Sequence, residues 1–325
     1  MNSVIKARFD DSCRVDVFDR YGLESHYKLL SDWHAFTFET HSRDNSYILR
    51  VSDDTHRTQA DIEAELEWVA FARNGGVTAP AVIPSIHGRC TEVVDAGASR
   101  FTAVLFEKLS GKPVADADWN SNLFKRWGEL VGRLHRLSVQ FRPSKRRPQW
   151  QQSDFLNINS YIPDDLSEIK RIGHELLMEI GSLPRDPLSF GVIHADVYHD
   201  NFFISDGELQ LFDFDNCEYG YFVSDLAICL YAALWRLRFG DDRQAFAIKF
   251  WKHFWMGYCK EFQLNRAQLV YLSLFLRLRE LLIYIVARKK LDLANLTPVQ
   301  ARLLQERGDR IATRTPVVNV DGLFG

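Results

Sequence analysis

The stretch FGVIHADVYHDNFFISDGELQLFDFD, residues 190–215, decides how this chain folds. It holds one apolar run, a short polar loop, and two further apolar runs separated by Ser-Asp-Gly-Glu. Short apolar runs bounded by polar residues or glycine are typical of buried strands, and Asp-Gly between two such runs is a strong hairpin signal. The sequence therefore predicts strands over Phe190–Ile193, 202–204 and 209–212, with the last two paired as a hairpin.

Three polar side chains flank the predicted hairpin. Asp196 and Asn201 lie in the loop before it, and Asp213 follows its second strand. Because a hairpin returns the chain to its starting point, we expect two carboxylates and one amide to converge. Such oxygen ligands suit a hard cation, and a carboxylate can accept a proton from a hydroxyl group.

The loop reads His194-Ala195-Asp196-Val197-Tyr198-His199-Asp200-Asn201, and the later triplet reads Asp213-Phe214-Asp215. Together they resemble the catalytic and metal-binding motifs of the aminoglycoside phosphotransferase and choline kinase superfamily. These enzymes are small-molecule relatives of the protein kinases, whose motifs are H-R-D-x-x-x-x-N and D-F-G. The wider layout is most similar to bacterial homoserine-kinase-like and stress-response-kinase-like phosphotransferases.

The resemblance implies an α+β, two-lobed protein-kinase-like fold. The N-terminal lobe is expected to be an antiparallel β-sheet with one main helix, and the C-terminal lobe to be mostly α-helical. The implied boundaries are 1–106 for the nucleotide-binding lobe, 107–112 for the hinge, and 113–325 for the catalytic and acceptor-binding lobe.

The resemblance also implies a reaction, the transfer of the γ-phosphoryl group of ATP to a hydroxyl of a small molecule. Asp196 is then the expected catalytic base, and Asn201 and Asp213 are the expected ligands of Mg²⁺. His194 is expected to brace the loop. Asp215 is either a secondary metal or substrate contact or a hydrogen-bonding residue of its own loop.

In the N-terminal half, the apolar runs predict strands near 26–30, 35–40, 46–51, 86–87, 91–94 and 101–106, and a helix over 57–73. Arg50 occupies the position of the family's strand lysine, which contacts ATP and pairs with a helix glutamate, here Glu65. Its guanidinium fork can bind both carboxylate and phosphate. There are two alternatives: Lys28 contacts the ATP phosphates in place of Arg50, or Arg50 forms only an ion pair at the protein surface. The first turn contains no glycine, so the glycine-rich loop of protein kinases is absent.

The hinge is expected to bind adenine through backbone groups near Glu107 and Leu109, although a plain interdomain linker could have the same sequence.

Beyond the hinge, periodicity predicts helices near 119–137, 164–180, 224–237, 242–262, 266–289 and 297–313. Ser224 is a candidate N-cap. The resemblance gives Asp225 a structural role behind the catalytic loop. Residues 142–150 are expected to form a solvated basic loop.

Composition limits the classes of function. The chain has 325 residues, 46% of them hydrophobic, and a net charge of −3, which fits one large or two intermediate domains and argues against a general nucleic-acid binder. Five scattered cysteines indicate free thiols in a reducing compartment. Neither a signal peptide nor an apolar run of about 18 residues is found, so we expect a cytoplasmic protein with no membrane association.

Three other functions stay open on the sequence. They are a Ser/Thr protein kinase of the stress-response type, a catalytically silent nucleotide-binding module, and a metallohydrolase built on the histidines and aspartates of residues 190–215. Within the kinase interpretation, Asp200, Asp215 and Glu218 favour an amine-bearing alcohol or an aminoglycoside as the acceptor. The sequence indicates no oligomeric state.

Overall fold

The computed structural model describes residues 3–43, 45–238 and 240–324. The chain divides into two compact units. The first consists of Met1–Lys112, Phe141–Arg147 and Phe203–Asp215, and the second of Pro113–Gln140, Pro148–Phe202 and Asn216–Gly325. The first unit therefore includes two segments from the second half of the chain. The hinge and lobe boundaries drawn from the sequence stay predictions.

The first unit is built on an antiparallel sheet. Its strands are β1 (Tyr27–Ser31), β2 (Phe36–Ser42), β3 (Asn45–Asp53), β4 (Val82–Ile83), β5 (Glu92–Ala96) and β6 (Ser99–Glu107). They follow the order β1-β2-β3-β6-β4, and β5 also pairs with β6. The predicted strands are confirmed to within a few residues, except that Ile86 and His87 lie in a turn, where Gly88 has a φ of 75°.

Three helices accompany this sheet: α1 (Ser3–Arg8), α2 (Asp11–Tyr21) and α3 (Gln59–Asn74). Helix α3 begins at a capping box in which Thr58 and Asp61 satisfy each other's backbone N–H groups. Its buried face includes Ile62, Trp68 and Val69, each at most 2% exposed. The apolar positions of α3 therefore direct one face, which also carries Glu65, into the unit.

The second unit is mostly helical. Its helices are α4 (Ser121–Gln140), α5 (Ile158–Tyr161), α6 (Ser167–Gly181), α7 (Phe222–Ala233), α8 (Arg243–Glu261), α9 (Leu272–Lys290) and α10 (Pro298–Ala312). Helices α4 and α8 meet backbone to backbone, because a Cβ on Gly128 would lie 1.9 Å from the Phe254 carbonyl oxygen. The same holds for Gly257 against the carbonyl oxygen of Lys125. Four aromatic residues of α8 are buried in this core: Phe250, Trp251, Phe254 and Tyr258.

Five short strands complete the fold: β7 (Lys112–Pro113), β8 (Phe190–Ile193), β9 (Phe202–Ser205), β10 (Glu208–Leu211) and β11 (Glu218–Tyr221). The β9–β10 hairpin is confirmed, and its turn has positive φ at Asp206 (49°) and Gly207 (80°), as a tight Asp-Gly turn requires. Strand β8 pairs antiparallel with β11, with Glu218 opposite Ile193 and Tyr221 opposite Phe190.

Two further local expectations are wrong. Helix α7 begins at Phe222 with Tyr221 as its N-cap, so Ser224 lies inside the first turn and not at the cap. The basic loop after α4 is not uniformly solvated, because Arg147 is only 3% exposed.

All five cysteines are free thiols. None of the described helices has the length and apolar character needed to cross a lipid bilayer.

Candidate active site

The residues predicted to form the site fall into two groups. Arg50, Glu65, Asp213 and the segment 107–109 belong to the first unit. Asp196 and Asn201 belong to the second unit.

The loop after β8 is held by a single buried carboxylate. Asp225, fully buried in α7, accepts the backbone N–H of His194 at 3.0 Å (Oδ2) and that of Ala195 at 2.9 Å (Oδ1). Ala195 has a φ of 62°, in the left-handed region that an alanine rarely adopts. The two hydrogen bonds stabilise this turn, and the turn sets the direction of the next residue, Asp196.

Asp225 is in turn fixed by a buried polar chain. The Nε2 of His135 lies 3.3 Å from Asp225 Oδ2, and its Nδ1 lies 2.8 Å from the hydroxyl of Tyr258. Both rings are fully buried. Burial lowers the pKa of His135 despite the nearby carboxylate, so the imidazole is neutral and takes part as a hydrogen-bonding group.

The carboxylate of Asp196 has partners on both oxygens. Asn201 Nδ2 donates to Oδ2 at 3.2 Å and to the Asp196 carbonyl oxygen at 2.9 Å. Arg279 Nη2 donates to Oδ1 at 3.0 Å. The side chain of Asp196 is 21% exposed, so it stays within reach of solvent while its orientation is fixed. The structure thus brings Asp196 and Asn201 together.

Arg279 was missed as a site residue. It comes from α9, where Arg277, Arg279 and Glu280 interrupt a run of apolar residues. That interruption could have pointed to Arg279, because a charged side chain inside an apolar helix needs a partner of opposite charge or a hydrogen-bond acceptor. Its guanidinium also borders a cavity of about 50 Å³ beside Ala195, which is large enough for water and too small for an aminoglycoside.

The ion pair expected between Arg50 on β3 and Glu65 on α3 is present. Arg50 Nη1 and Nη2 donate to Glu65 Oε1 and Oε2 at 2.9 and 2.8 Å, a two-pronged contact. The side chains are 11% and 2% exposed. Burial disfavours the charged guanidinium, but Glu65 more than offsets it, and the pKa of Arg50 lies above its ordinary value. Asp215 and Asp213 add to this rise.

Lys28, the alternative to Arg50, is exposed on β1, at the edge of the sheet. Its charge acts on Glu39, whose partner is Lys108. Both carboxylate oxygens of Glu65 accept hydrogen bonds from Arg50. Within the described residues, Arg50 is therefore the cation that stands beside the helix glutamate.

The Asp213-Phe214-Asp215 triplet presents its two carboxylates differently. Phe214 is buried, whereas Asp213 is exposed and has a φ of 64°. Asp215 is 13% exposed and lies 3.8 Å from His56 Nε2. Burial raises the pKa of Asp215, but His56, Arg50 and Arg57 reverse the effect and hold it well below the usual range. Asp213 is thus the carboxylate that faces outward.

A cleft of about 690 Å³ lies in the first unit, a volume within the range of small-molecule sites. Its lining consists of Asn45, Ser46, Tyr47, Ile83, Glu107, Lys108, Leu109, Ser110 and Gly111. The predicted hinge contacts Glu107 and Leu109 therefore both line it. The N–H of Glu107 is donated to the Ala81 carbonyl oxygen at 2.8 Å and is not available to a base.

A metal ion bound in this site would need oxygen, nitrogen or sulfur ligands from the protein. Among residues 3–43, 45–238 and 240–324, no group of three His, Cys, Asp or Glu side chains could hold a metal. A metallohydrolase site needs such a cluster. Magnesium instead accepts one or two protein oxygens and completes its shell with water and phosphate. Asp213 in the first unit and Asn201 in the second unit each carry an oxygen of the kind that magnesium accepts.

The comparisons with known proteins agree with this chemistry. The family model described as phosphotransferase enzyme family matches residues 27–255. The chain belongs to the phosphotransferase enzyme family. An amicoumacin kinase of Bacillus subtilis (strain 168) is 31% identical over 308 residues, which cover 93% of this chain and 92% of that protein.

Solved structures of the family share the fold. An amicoumacin kinase in complex with AMP-PNP, Ca²⁺ and Ami superposes with a TM-score of 0.94 at 28% identity, covering 99% of this chain and 100% of that one. A microcompartment-associated aminopropanol kinase has a TM-score of 0.74 at 20% identity, covering 93% and 95%. The two-lobed α+β, protein-kinase-like fold is confirmed. This phosphotransferase is an ATP-dependent enzyme that acts on a hydroxyl of a small molecule.

Proposed function

We propose that this phosphotransferase uses Asp196 as the catalytic base when it transfers the γ-phosphoryl group of ATP to its acceptor. The observation that carries the proposal is the catalytic loop itself. Its carboxylate is oriented by Asn201 and Arg279, at the end of a strained turn that the buried Asp225 stabilises. A carboxylate held in one direction and open to solvent suits a group that must meet an incoming hydroxyl.

ATP is proposed to bind in the cleft of the first unit. Its adenine is assigned to backbone groups at Glu107 and Leu109, with the Glu107 N–H excluded because Ala81 already accepts it. Arg50 is assigned to the phosphates, since Glu65 holds its guanidinium in a fixed plane and leaves its charge intact. The AMP-PNP bound to the similar amicoumacin kinase supports a nucleotide site of this kind.

Asn201 and Asp213 are the proposed ligands of a divalent cation, Mg²⁺. The ion, when bound, neutralises charge on the phosphate oxygens. Asn201 uses its amide nitrogen on Asp196, which leaves the amide oxygen for the cation. Asp213 offers an exposed carboxylate directly before the buried Phe214.

Asp196 accepts a hydrogen bond from the acceptor hydroxyl and takes its proton as the oxygen attacks the phosphorus. Asn201 and Arg279 keep the carboxylate aligned during that transfer. The new O–P bond forms as the bond between the γ-phosphorus and the bridging oxygen breaks, and ADP leaves with the electron pair. Orienting and shielding the reactants is the main contribution of the protein in such reactions.

The acceptor is proposed to be an amine-bearing alcohol, and amicoumacin is the first compound to test because of the close structural match. Asp200, whose side chain is 69% exposed, is available to contact an ammonium group. Glu218 lines the small cavity beside Arg279. Asp215 is less suited to this contact, because its side chain is only 13% exposed and lies close to the positive groups of His56, Arg57 and Arg50.

A panel experiment tests the acceptor class. ADP release is measured with Mg²⁺-ATP and, one at a time, amicoumacin, aminopropanol, choline, homoserine, an aminoglycoside and a neutral diol of similar size. Turnover with one or more amine-bearing alcohols, abolished by Asp196→Ala, supports the proposal. Turnover only with neutral or anionic alcohols contradicts the amine assignment, and phosphorylation of a Ser/Thr protein substrate alone replaces it with protein-kinase activity.

A further inference from the structure

The segment Phe141–Arg147, here called the strap, lies along helix α3. The ring of Phe141 packs against Trp68 with centroids 5.0 Å apart. Further along the strap, Ser144 donates its N–H and its hydroxyl to the two carboxylate oxygens of Glu67, at 2.7 and 2.9 Å. Lys145 then pairs with Glu63. The strap thus runs antiparallel to the helix and follows it towards its first turn.

Arg147 ends the strap and is buried. Its Nη1 donates to the carbonyl oxygen of Asp61 in the first turn of α3 at 2.7 Å, and its Nη2 donates to the carbonyl oxygen of Asp215 at 2.5 Å. The side chain is 3% exposed, whereas the preceding Arg146 is exposed. One guanidinium therefore bridges α3 and the end of the Asp-Phe-Asp triplet.

This bridge joins two parts that the phosphate site depends on. Helix α3 carries Glu65, which holds Arg50, and the triplet carries Asp213. Arg57, just before α3, adds a second donor to the same Asp215 carbonyl oxygen at 3.2 Å. Burying a guanidinium costs free energy unless its N–H groups find partners, so the two carbonyl contacts compensate for the desolvation of Arg147.

We propose that Arg147 is a positioning residue that fixes helix α3 against the Asp-Phe-Asp triplet, and so sets the spacing of Arg50 and Asp213 around a Mg²⁺–nucleotide. The inference rests on the proposed nucleotide and metal roles of those two residues. The planar fork of arginine can donate to two carbonyl groups in fixed directions at once, whereas the compact ammonium of lysine cannot hold both in the same way.

Calorimetric binding of AMP-PNP to the full chain, with and without Mg²⁺, tests the inference. The variants are Arg147→Met, Arg147→Lys and the matched control Arg146→Met, which removes the neighbouring exposed charge. Arg147→Met is expected to weaken binding in Mg²⁺ by about tenfold, a loss comparable to one hydrogen bond to a charged group. Arg147→Lys is expected to be intermediate, and the control is expected to match the wild type.

The ratio of the dissociation constants without and with Mg²⁺ separates positioning from loss of stability. A smaller ratio in Arg147→Met supports the inference, since a merely less stable protein keeps the ratio while its melting temperature falls. An unchanged ratio overturns it. If Arg147→Met does not fold, the test rests on Arg147→Lys. A wild-type affinity for AMP-PNP and a wild-type ratio of dissociation constants in Arg147→Lys would then overturn the inference. A wild type that does not bind Mg²⁺–AMP-PNP refutes the proposed function first, and the role of Arg147 with it.

Discussion

The two groups of site residues are stabilised by different physical means. In the first unit, buried carboxylates are matched by guanidinium groups, as Glu65 is by Arg50, and Asp215 lies beside Arg50 and Arg57. In the second unit, the catalytic loop depends on backbone N–H groups donated to Asp225, with a neutral His135 behind it. The first arrangement is insensitive to pH near neutrality because arginine keeps its charge. The second is a hydrogen-bond network that contains a titratable imidazole.

The largest expected effect falls on catalysis in the second unit. Asp196→Asn keeps the shape of the side chain but removes the proton acceptor, so kcat is expected to fall by about 100- to 10,000-fold. Steady-state phosphoryl transfer checks this. Asp206→Asn, which changes an exposed carboxylate in the β9–β10 turn, is the control and is expected to stay near wild type. Equal activity in Asp196→Asn and wild type would remove Asp196 from the mechanism.

Breaking the ion pair of the first unit is expected to affect both stability and nucleotide binding. Arg50→Met leaves Glu65 buried without its partner, so the free energy of unfolding is expected to fall by about 3–5 kcal/mol. Chemical denaturation measures that loss.

The double variant Arg50→Met/Glu65→Met separates the two roles of Arg50. Two apolar side chains of similar length are expected to restore most of the stability, as often occurs when a whole buried pair is replaced. ATP affinity is expected to remain weak, because the phosphate-binding cation is still missing. Wild-type ATP affinity in the double variant would show that Arg50 serves the fold alone.

Asp225→Asn tests the support of the catalytic loop. The amide nitrogen of the new side chain faces an N–H donor, so at least one hydrogen bond to His194 or Ala195 is lost, at about 1–3 kcal/mol of stability. We expect kcat to fall while the dissociation constant for ATP is unchanged, since the loop belongs to the second unit. A change in ATP affinity with normal kcat contradicts the separation of the two groups.

A pH titration of stability addresses the imidazole in that network. Burial lowers the pKa of His135 in the folded state, so the unfolded chain binds the extra proton as pH falls through about 6.5. The wild type is therefore expected to lose stability between pH 7.5 and 5.5, by about 1 kcal/mol more than His135→Gln. Parallel curves for the two proteins would show that His135 does not contribute.

The smallest effect is expected at Lys28. This exposed strand lysine is the alternative to Arg50, and its loss in Lys28→Met is expected to change stability and ATP affinity by less than about 0.5 kcal/mol. Isothermal titration with AMP-PNP measures it beside Arg50→Met. A large loss of affinity in Lys28→Met would reverse the assignment of the phosphate-binding cation.

Local patterns were enough to predict the elements and the short-range geometry. The Asp-Gly turn predicted the β9–β10 hairpin because positive φ at two positions suits few other dipeptides. The Arg50–Glu65 pair was implied by the resemblance to the phosphotransferase family, in which a cation on this strand pairs with a glutamate on this helix. The spacing of Asp196 and Asn201 placed both in one loop, where they hydrogen-bond.

Contacts that depend on packing between distant segments could not be predicted. Arg279 reaches Asp196 across 83 residues of sequence, and only its position in an apolar helix hinted at a partner. Arg147 looked like one more basic loop residue, although it is buried against two carbonyl groups. Ser224 matched the preference for an N-cap, but helix α7 begins at the buried Phe222, with Tyr221 as its N-cap.

The central claim is that Asp196 promotes transfer of the γ-phosphoryl group of ATP to a hydroxyl of the acceptor. The most direct measurement is mass spectrometry of the acceptor identified by the panel, after incubation with Mg²⁺-ATP and wild type, Asp196→Asn or Asp206→Asn. Wild type and Asp206→Asn are expected to give an acceptor heavier by one phosphoryl group, and folded Asp196→Asn is expected to leave the acceptor unmodified over the same period. ADP formation with no modified acceptor, or equal product from Asp196→Asn, would contradict it.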